Sequence, residues 1–358
     1  MIRRFSALTI VAALAVGWFA VGRAAGSGTP SDAGRVVALA PRADGGYKLT
    51  YRSIGVSGDP VDETAVLWFP IGARSGDVVA WAHPTTGLAD TCAPSSHDTL
   101  TITGLDALRA NGHIVVAPDY EGLGTRGVHP YLVGDSEGRS ILDAIRAARF
   151  VGNVNGRSAV YGWSQGGHAA LFAARLAPKY APDVRLSGAV AIAPVTSMVA
   201  LVDGSTYLSR VPGVAAMIAA GYVTAYPKLR AAALLGNPTR DIKTATSRCD
   251  VVSALQDATS SLPEGPWLKA LQANDASSAT LKVPSMIIHG DQDNLLPASD
   301  SVEAYHDLCD RGSTVRLRLY ELENHISVPD AAAPYFVRWL EDRLAGEKLT
   351  GCSQHTVV

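Results

Sequence analysis

The chain has 358 residues, 47% of them hydrophobic, and carries 31 basic against 33 acidic side chains. That is ample apolar material for a core, in one large domain or two modest ones. The near balance of charge, with no basic stripe and no polybasic cluster, argues against nucleic acid or an anionic membrane surface as a partner.

The first 26 residues read as a targeting segment rather than fold. Arg3 and Arg4 precede an uncharged apolar run, and the small residues Gly22, Ala24, Ala25 and Gly26 follow it. That is the layout of a secretory signal peptide, with an uncleaved anchor as the alternative because the run approaches the length of a membrane span. Export makes Cys92, Cys249, Cys309 and Cys352 expected disulfide partners. Four cysteines allow three pairings, and spacing does not choose among them. No C-x-x-C pair exists to suggest a zinc knuckle or a redox motif.

Beyond a Gly-rich link, 47–54 and 61–69 read as an antiparallel pair of strands and 77–82 as a short buried strand. Residues 100–110 read as a helix, 114–118 as a strand and 137–150 as a helix. A strand ending at Tyr161, a helix over 168–176 and a strand over 186–192 follow. Strands alternating with helices of this length predict an α/β fold with a mainly parallel sheet covered on both faces, built from 35–193 and 280–358. Across 194–279 the rhythm breaks. Val211, Val214, Met217, Ile218, Tyr222, Tyr226 and Leu229 suit an inserted helical cap, whose apolar residues line a pocket or simply pack the cap on the sheet. Strands resume at 283–288 and 315–322, and a helix over 331–344 closes the pattern.

One stretch carries chemistry. A short apolar run ending in Val160 and Tyr161 meets Gly162-Trp163-Ser164-Gln165-Gly166, and a helical pattern follows. Strand, G-x-S-x-G and helix in that order form a nucleophile elbow, a sharp turn that presents Ser164 and aims the next amide, that of Gln165, at a developing oxyanion. A second copy, Gly134-Asp135-Ser136-Glu137-Gly138, follows a loop broken by Gly122, Gly124, Gly127 and Pro130. Without the strand, Asp135 or Ser136 is better read as a helix N-cap.

A serine hydroxyl needs a base, and the base needs a carboxylate to orient it. His325 is the histidine directly after the last predicted strand. Asp291 and Asp293 both follow the strand before it, in His289-Gly290-Asp291-Gln292-Asp293-Asn294-Leu295-Leu296-Pro297. This run resembles the His-Gly-x-x-Asp-x-x-x-Pro loop of α/β-hydrolases, which selects Asp293 and leaves Asp291 as a turn residue helping its own backbone. His83-Pro84-Thr85-Thr86-Gly87 follows the strand that carries the second oxyanion donor in that superfamily, or forms an ordinary tight turn. Pro84 lacks an amide hydrogen, so Thr85, with Thr86 as the alternative, is the expected donor. His168 suits packing or capping and His289 the support of its loop. His97, His113, His306 and His355 have no site context.

Asp90-Thr91-Cys92-Ala93-Pro94-Ser95, Asp119-Tyr120-Glu121-Gly122, Glu137-Gly138, the elbow and Glu323-Asn324-His325-Ile326 span about 80–326 in a fixed order. In these the chain resembles the secretory lipase family, the fungal lipase A type of α/β-hydrolase. The resemblance implies the bridges Cys92–Cys249 and Cys309–Cys352. It also implies a secreted serine carboxylester hydrolase using Ser164, Asp293 and His325, with no cofactor and no metal. The expected partner is a small ester or lipid, with transient contact at a lipid interface, and the expected state is a monomer. The fungal aspartate directly before Cys-Ala-Pro-Ser is replaced by Thr91, with Asp90 one place earlier. The fungal C-terminal flap has no counterpart, which suggests a more open site. An acyltransferase, a serine peptidase or a non-catalytic lipid-binding scaffold on the same fold are the alternatives.

Overall fold

The computed structural model describes residues 32–202, 212–250 and 264–358. The expected signal segment, 1–26, lies outside the described residues, as do parts of the expected cap.

Among the described residues ten strands make one sheet in the order β1-β2-β3-β5-β4-β6-β7-β8-β9-β10. They are β1 (Val36–Pro41), β2 (Tyr47–Ile54), β3 (Pro60–Trp68), β4 (Val78–Ala82) and β5 (Ile114–Pro118), then β6 (Ser158–Trp163), β7 (Leu186–Ile192), β8 (Ser285–Gly290), β9 (Val315–Tyr320) and β10 (Ser353–Val357). The pairings from β1 to β5 through β2 and β3 are antiparallel, and those from β5 to β10 are parallel. The α/β arrangement with a mainly parallel sheet expected from the alternation is what forms. The parallel strands are apolar runs because helices cover both faces. Val78 and Ala80 face one core with α2 (Gly134–Gly152), α3 (Gln165–Tyr180) and α8 (Ala298–Asp310). Val79 and Tyr161 face another with α1 (Leu105–Ala110) and α9 (Val328–Ala345).

A third apolar cluster belongs to α4 (Met198–Val202), α5 (Pro212–Ala225), α6 (Pro238–Ala245) and α7 (Pro266–Ala273). Its centre is Tyr222 stacked on Trp267, ring centroids 5.7 Å apart. Two bridges, Cys92–Cys249 and Cys309–Cys352, span 157 and 43 residues of sequence. The first joins the short turn after β4 to the segment following α6.

Local details depart from expectation for identifiable reasons. The helix read over 100–110 starts only at Leu105, because Gly104 sits at φ 84° and breaks the helical path before it. Helices α2 and α3 begin earlier than expected, since glycines of poor helix propensity occupy their first turns. The N-cap of α2 is Val133, with no side-chain cap bond, so neither Asp135 nor Ser136 caps it. Strands β1 and β10 lie at the sheet's edges and are largely exposed, which removes the apolar pattern that marks the inner strands.

Candidate active site

The turn from β6 into α3 is held in a conformation few serines adopt. Ser164 has φ 57° and ψ −118°, and its amide donates to Ile192 O at 2.9 Å. Such a backbone costs of order 1–3 kcal/mol and persists only when its surroundings impose it. The flanking glycines are demanded by space. A Cβ on Gly162 would collide with the backbone of Gly166, and one on Gly166 with the carbonyl of Ala82 on β4. The elbow is thus pressed against its neighbour strand.

Ser164 Oγ lies 3.0 Å from His325 Nε2, and His325 Nδ1 lies 2.6 Å from Asp293 Oδ2. Three loops at the carboxyl ends of β6, β8 and β9 therefore bring together the three side chains singled out in the sequence. Asp293 is anchored on its other oxygen, where Oδ1 accepts from the amides of Leu295 and Leu296, both at 2.9 Å. His289 Nε2 reaches the same Oδ2 at 3.0 Å, while Ser301 Oγ sits 2.7 Å from His289 Nδ1. Nε2 also faces Leu296 O at 2.9 Å, an acceptor only, so Nε2 carries the hydrogen and Ser301 donates to Nδ1. Burial pushes the Asp293 carboxyl up, but hydrogen bonds from His289 and His325 outweigh it and hold the group well below the usual carboxylate range. The arrangement presents an ionised carboxylate behind an imidazole whose far nitrogen meets a hydroxyl.

Asp291 is exposed and accepts from the Leu322 amide at 2.8 Å. It braces the loop after β9 and not its own turn, which corrects the expectation that it serves its own backbone. His168 and His289 are both fully buried and hydrogen-bonded.

Thr85 lines a cavity that reaches Ser164, and its Oγ1 lies 2.7 Å from Tyr131 Oη. Asp90 is exposed, on the short turn before Cys92, and is not among the cavity walls. The cavity holds about 310 Å³, reaches Ser164 and His325, and is lined by Val195, Leu201, Val214, Leu295 and Leu296 among others. A second, smaller cavity of about 230 Å³ shares Pro84, Trp163 and Ile326 with it.

Beneath the elbow lies a polar layer that the sequence did not announce. Gln165, 1% exposed, uses its side-chain amide twice, 2.8 Å from Glu137 Oε1 and 2.8 Å from His129 Nε2. His129 Nδ1 donates to Glu121 O at 2.9 Å, which leaves Nε2 bare to accept from Gln165. Burial lowers the pKa of His129 to about 4, keeping it in that neutral form. Glu137 Oε2 faces His168 Nδ1 at 2.8 Å, and His168 Nε2 faces Asn274 O at 2.9 Å, at the end of α7. His129 sits in a loop rich in glycine and proline with no periodicity, so nothing in its neighbourhood marks it as buried. The only sequence signal was indirect, since Asp119-Tyr120-Glu121-Gly122 and Glu137-Gly138 were motifs without an assigned task.

Among known proteins, the family model for secretory lipases matches residues 94–352. The chain is 25% identical over 360 residues to lipase 10 of Candida albicans, covering 87% of this chain and 75% of that one. It is 27% identical over 355 residues to lipase A of Arthroderma benhamiae, covering 87% and 73%. Of solved structures, Candida antarctica lipase A superposes with a TM-score of 0.79 at 21% identity, covering 91% of this chain and 86% of that one. The rice cell wall degrading esterase LipA of Xanthomonas oryzae superposes with a TM-score of 0.69 at 20% identity, covering 88% and 98%.

Proposed function

The chain belongs to the secretory lipase family and is a carboxylester hydrolase of lipase or esterase type acting on an ester or lipid; we propose that Ser164, His325 and Asp293 perform the reaction. The observation that carries this reading is the unbroken relay from Ser164 Oγ through both nitrogens of His325 to Asp293. His325 Nε2 takes the Ser164 proton as Oγ attacks the ester carbonyl. The amides of Gln165 and Thr85 stabilise the oxygen that becomes negative. His325 then hands the proton to the departing alcohol, leaving an acyl-serine. Water attacks that intermediate by the same route, releasing the acid and restoring Ser164.

The helices α4 to α7 act as a cap over the site, inserted at 194–279 into a core formed by 35–193 and 280–358. Val195, Leu201 and Val214, with Leu295 and Leu296, support an acyl pocket in the larger cavity. The second cavity, beside Trp163 and Ile326, suits the alcohol half. Ile326, which lines both cavities, is largely exposed, which supports transient contact with a lipid interface by a monomer. The family and the two disulfides indicate a secreted protein, and residues 1–26 serve as its cleaved signal. Among the described residues no helix is long and apolar enough to cross a membrane.

A series of p-nitrophenyl esters from acetate to palmitate tests the acyl pocket. Each buried methylene contributes roughly 0.8 kcal/mol, so kcat/KM should rise a few-fold per methylene and then level off. A profile that peaks at acetate and falls steadily removes the apolar pocket and leaves a small-ester esterase.

A further inference from the structure

We infer that Gln165 is a positioning residue, its side chain locked by Glu137 and His129 so that its backbone amide stays aimed at the oxyanion. The inference rests on the reading of Ser164 as nucleophile and concerns how that site is held.

The geometry leaves the Gln165 side chain no freedom. Glu137 Oε1 accepts, and His129 Nε2, whose ring partner Nδ1 already donates to Glu121 O, can only accept as well. Both hydrogens of the Gln165 amide are therefore spent in two fixed directions. The opposite orientation of that amide would set its oxygen against a carboxylate. Gln165 is also the first residue of α3, directly after the left-handed Ser164. Its N–H is one of the unpaired donors at a helix start, and the strained backbone before it, tied through the Ser164 amide to Ile192 O, persists only while its surroundings impose it. The pins are themselves buttressed. Glu137 Oε1 also accepts from the Leu132 amide, and Oε2 is held by His168, which reaches Asn274 O at the end of α7.

The same layer extends to the other oxyanion strand. The His129 ring stacks on Tyr120, centroids 5.6 Å apart, and Tyr120 lies 4.4 Å from the ring of His83. Tyr120 Oη donates to the carbonyl of His83 at 3.1 Å, two residues before Thr85. One buried block thus sets the spacing between the amides of Gln165 and Thr85.

Gln165→Ala tests this, since it removes the tether and keeps the amide. Two readings are needed: kcat and KM on one soluble ester, and inhibition by a trifluoromethyl ketone bearing the same acyl group. Ser164 adds to that ketone, its proton passes to His325, and the ketone oxygen becomes a stable oxyanion. Loss of an oxyanion donor typically costs a hundredfold to a thousandfold in kcat, and a displaced one should cost about tenfold to a hundredfold. The expected result is that fall in kcat, KM within about twofold, and inhibitor affinity weakened in parallel. Unchanged kcat and inhibition with only a lower Tm overturns the inference, as does a fall in kcat that the inhibitor does not follow. If Gln165→Ala does not fold, His129→Leu is read by the same two measurements, with a smaller parallel loss expected. Ser164→Ala serves as the control: should it stay active, the reading of the nucleophile is what has failed.

Discussion

The chain writes the pattern G-x-S-x-G twice, and the two copies end in opposite states. In 162–166 the serine stands on a strained turn with φ 57°, facing an imidazole. In 134–138 the serine lies within the first turn of a helix and donates to Glu121 Oε2 at 2.5 Å. The glycines differ in purpose as well. Those of the first copy avoid collisions with backbone, of Gly166 within the elbow and of Ala82 on β4. Gly134 and Gly138 instead let α2 approach α3, where a Cβ would meet Phe172 and Leu176. The element that precedes a motif, more than the motif, decides its chemistry. Yet the copies are not independent, because Glu137 of one accepts from Gln165 of the other.

The sharpest way to break this contrast is to remove each hydroxyl in turn. Ser164→Ala should lower kcat by about four orders of magnitude or more while leaving the Tm near that of the parent. Ser136→Ala should retain most activity and lose about 1–2 kcal/mol of stability from one buried hydrogen bond. A dead Ser136 variant beside an active Ser164 variant would reverse the assignment.

Next in size is a matching contrast between two aspartates, two residues apart. Asp293→Asn should reduce kcat roughly a thousandfold to ten-thousandfold, because His325 loses the acceptor that fixes its tautomer. Asp291→Asn touches only the Leu322 amide and should stay within about threefold. Equal losses in initial-rate assays would mean that the acid has been misassigned.

A last contrast separates the two neighbourhoods by pH. Glu121, the partner of Ser136, lies near Glu63, and burial followed by that like charge raises the Glu63 pKa to about 8. Folded, Glu63 keeps its proton up to about pH 8, whereas unfolded it loses it near 4.5. Between those values the folded state binds more protons, so its contribution is full below about pH 4.5 and declines as pH rises towards 8. Glu63→Gln should flatten that decline, by at most about 1.4 kcal/mol per pH unit, in denaturant midpoints taken at pH 5, 6.5 and 8. An unaltered slope would show that Glu63 is not the group responsible.

Much of this was legible in the sequence, for a physical reason. The elbow combines a strand buried over all but its last residue with two glycines that sterics require, and His325 follows the last inner strand. Both are local signals. The choice between Asp291 and Asp293 was not local in that sense. It rested on resemblance to a loop, and only the fold shows that Asp293 is braced by the Leu295 and Leu296 amides while Asp291 reaches across to Leu322. The contact between Glu137 and Gln165 was invisible for the same reason, since it depends on how closely α2 and α3 pack. Strand β10 was missed because Ser353, Gln354, His355 and Thr356 are polar residues on an edge, where pairing with β9 needs no apolar pattern.

The two bridges follow one another along the chain without interleaving, Cys92 to Cys249 and then Cys309 to Cys352. A chain that emerges amino terminus first presents its cysteines in that order. Cys92 and Cys249 can find each other before any other thiol has arrived, and Cys309 then meets Cys352 with no rival left. Oxidation in order of emergence gives the native connectivity directly, so this pairing places little demand on a disulfide isomerase.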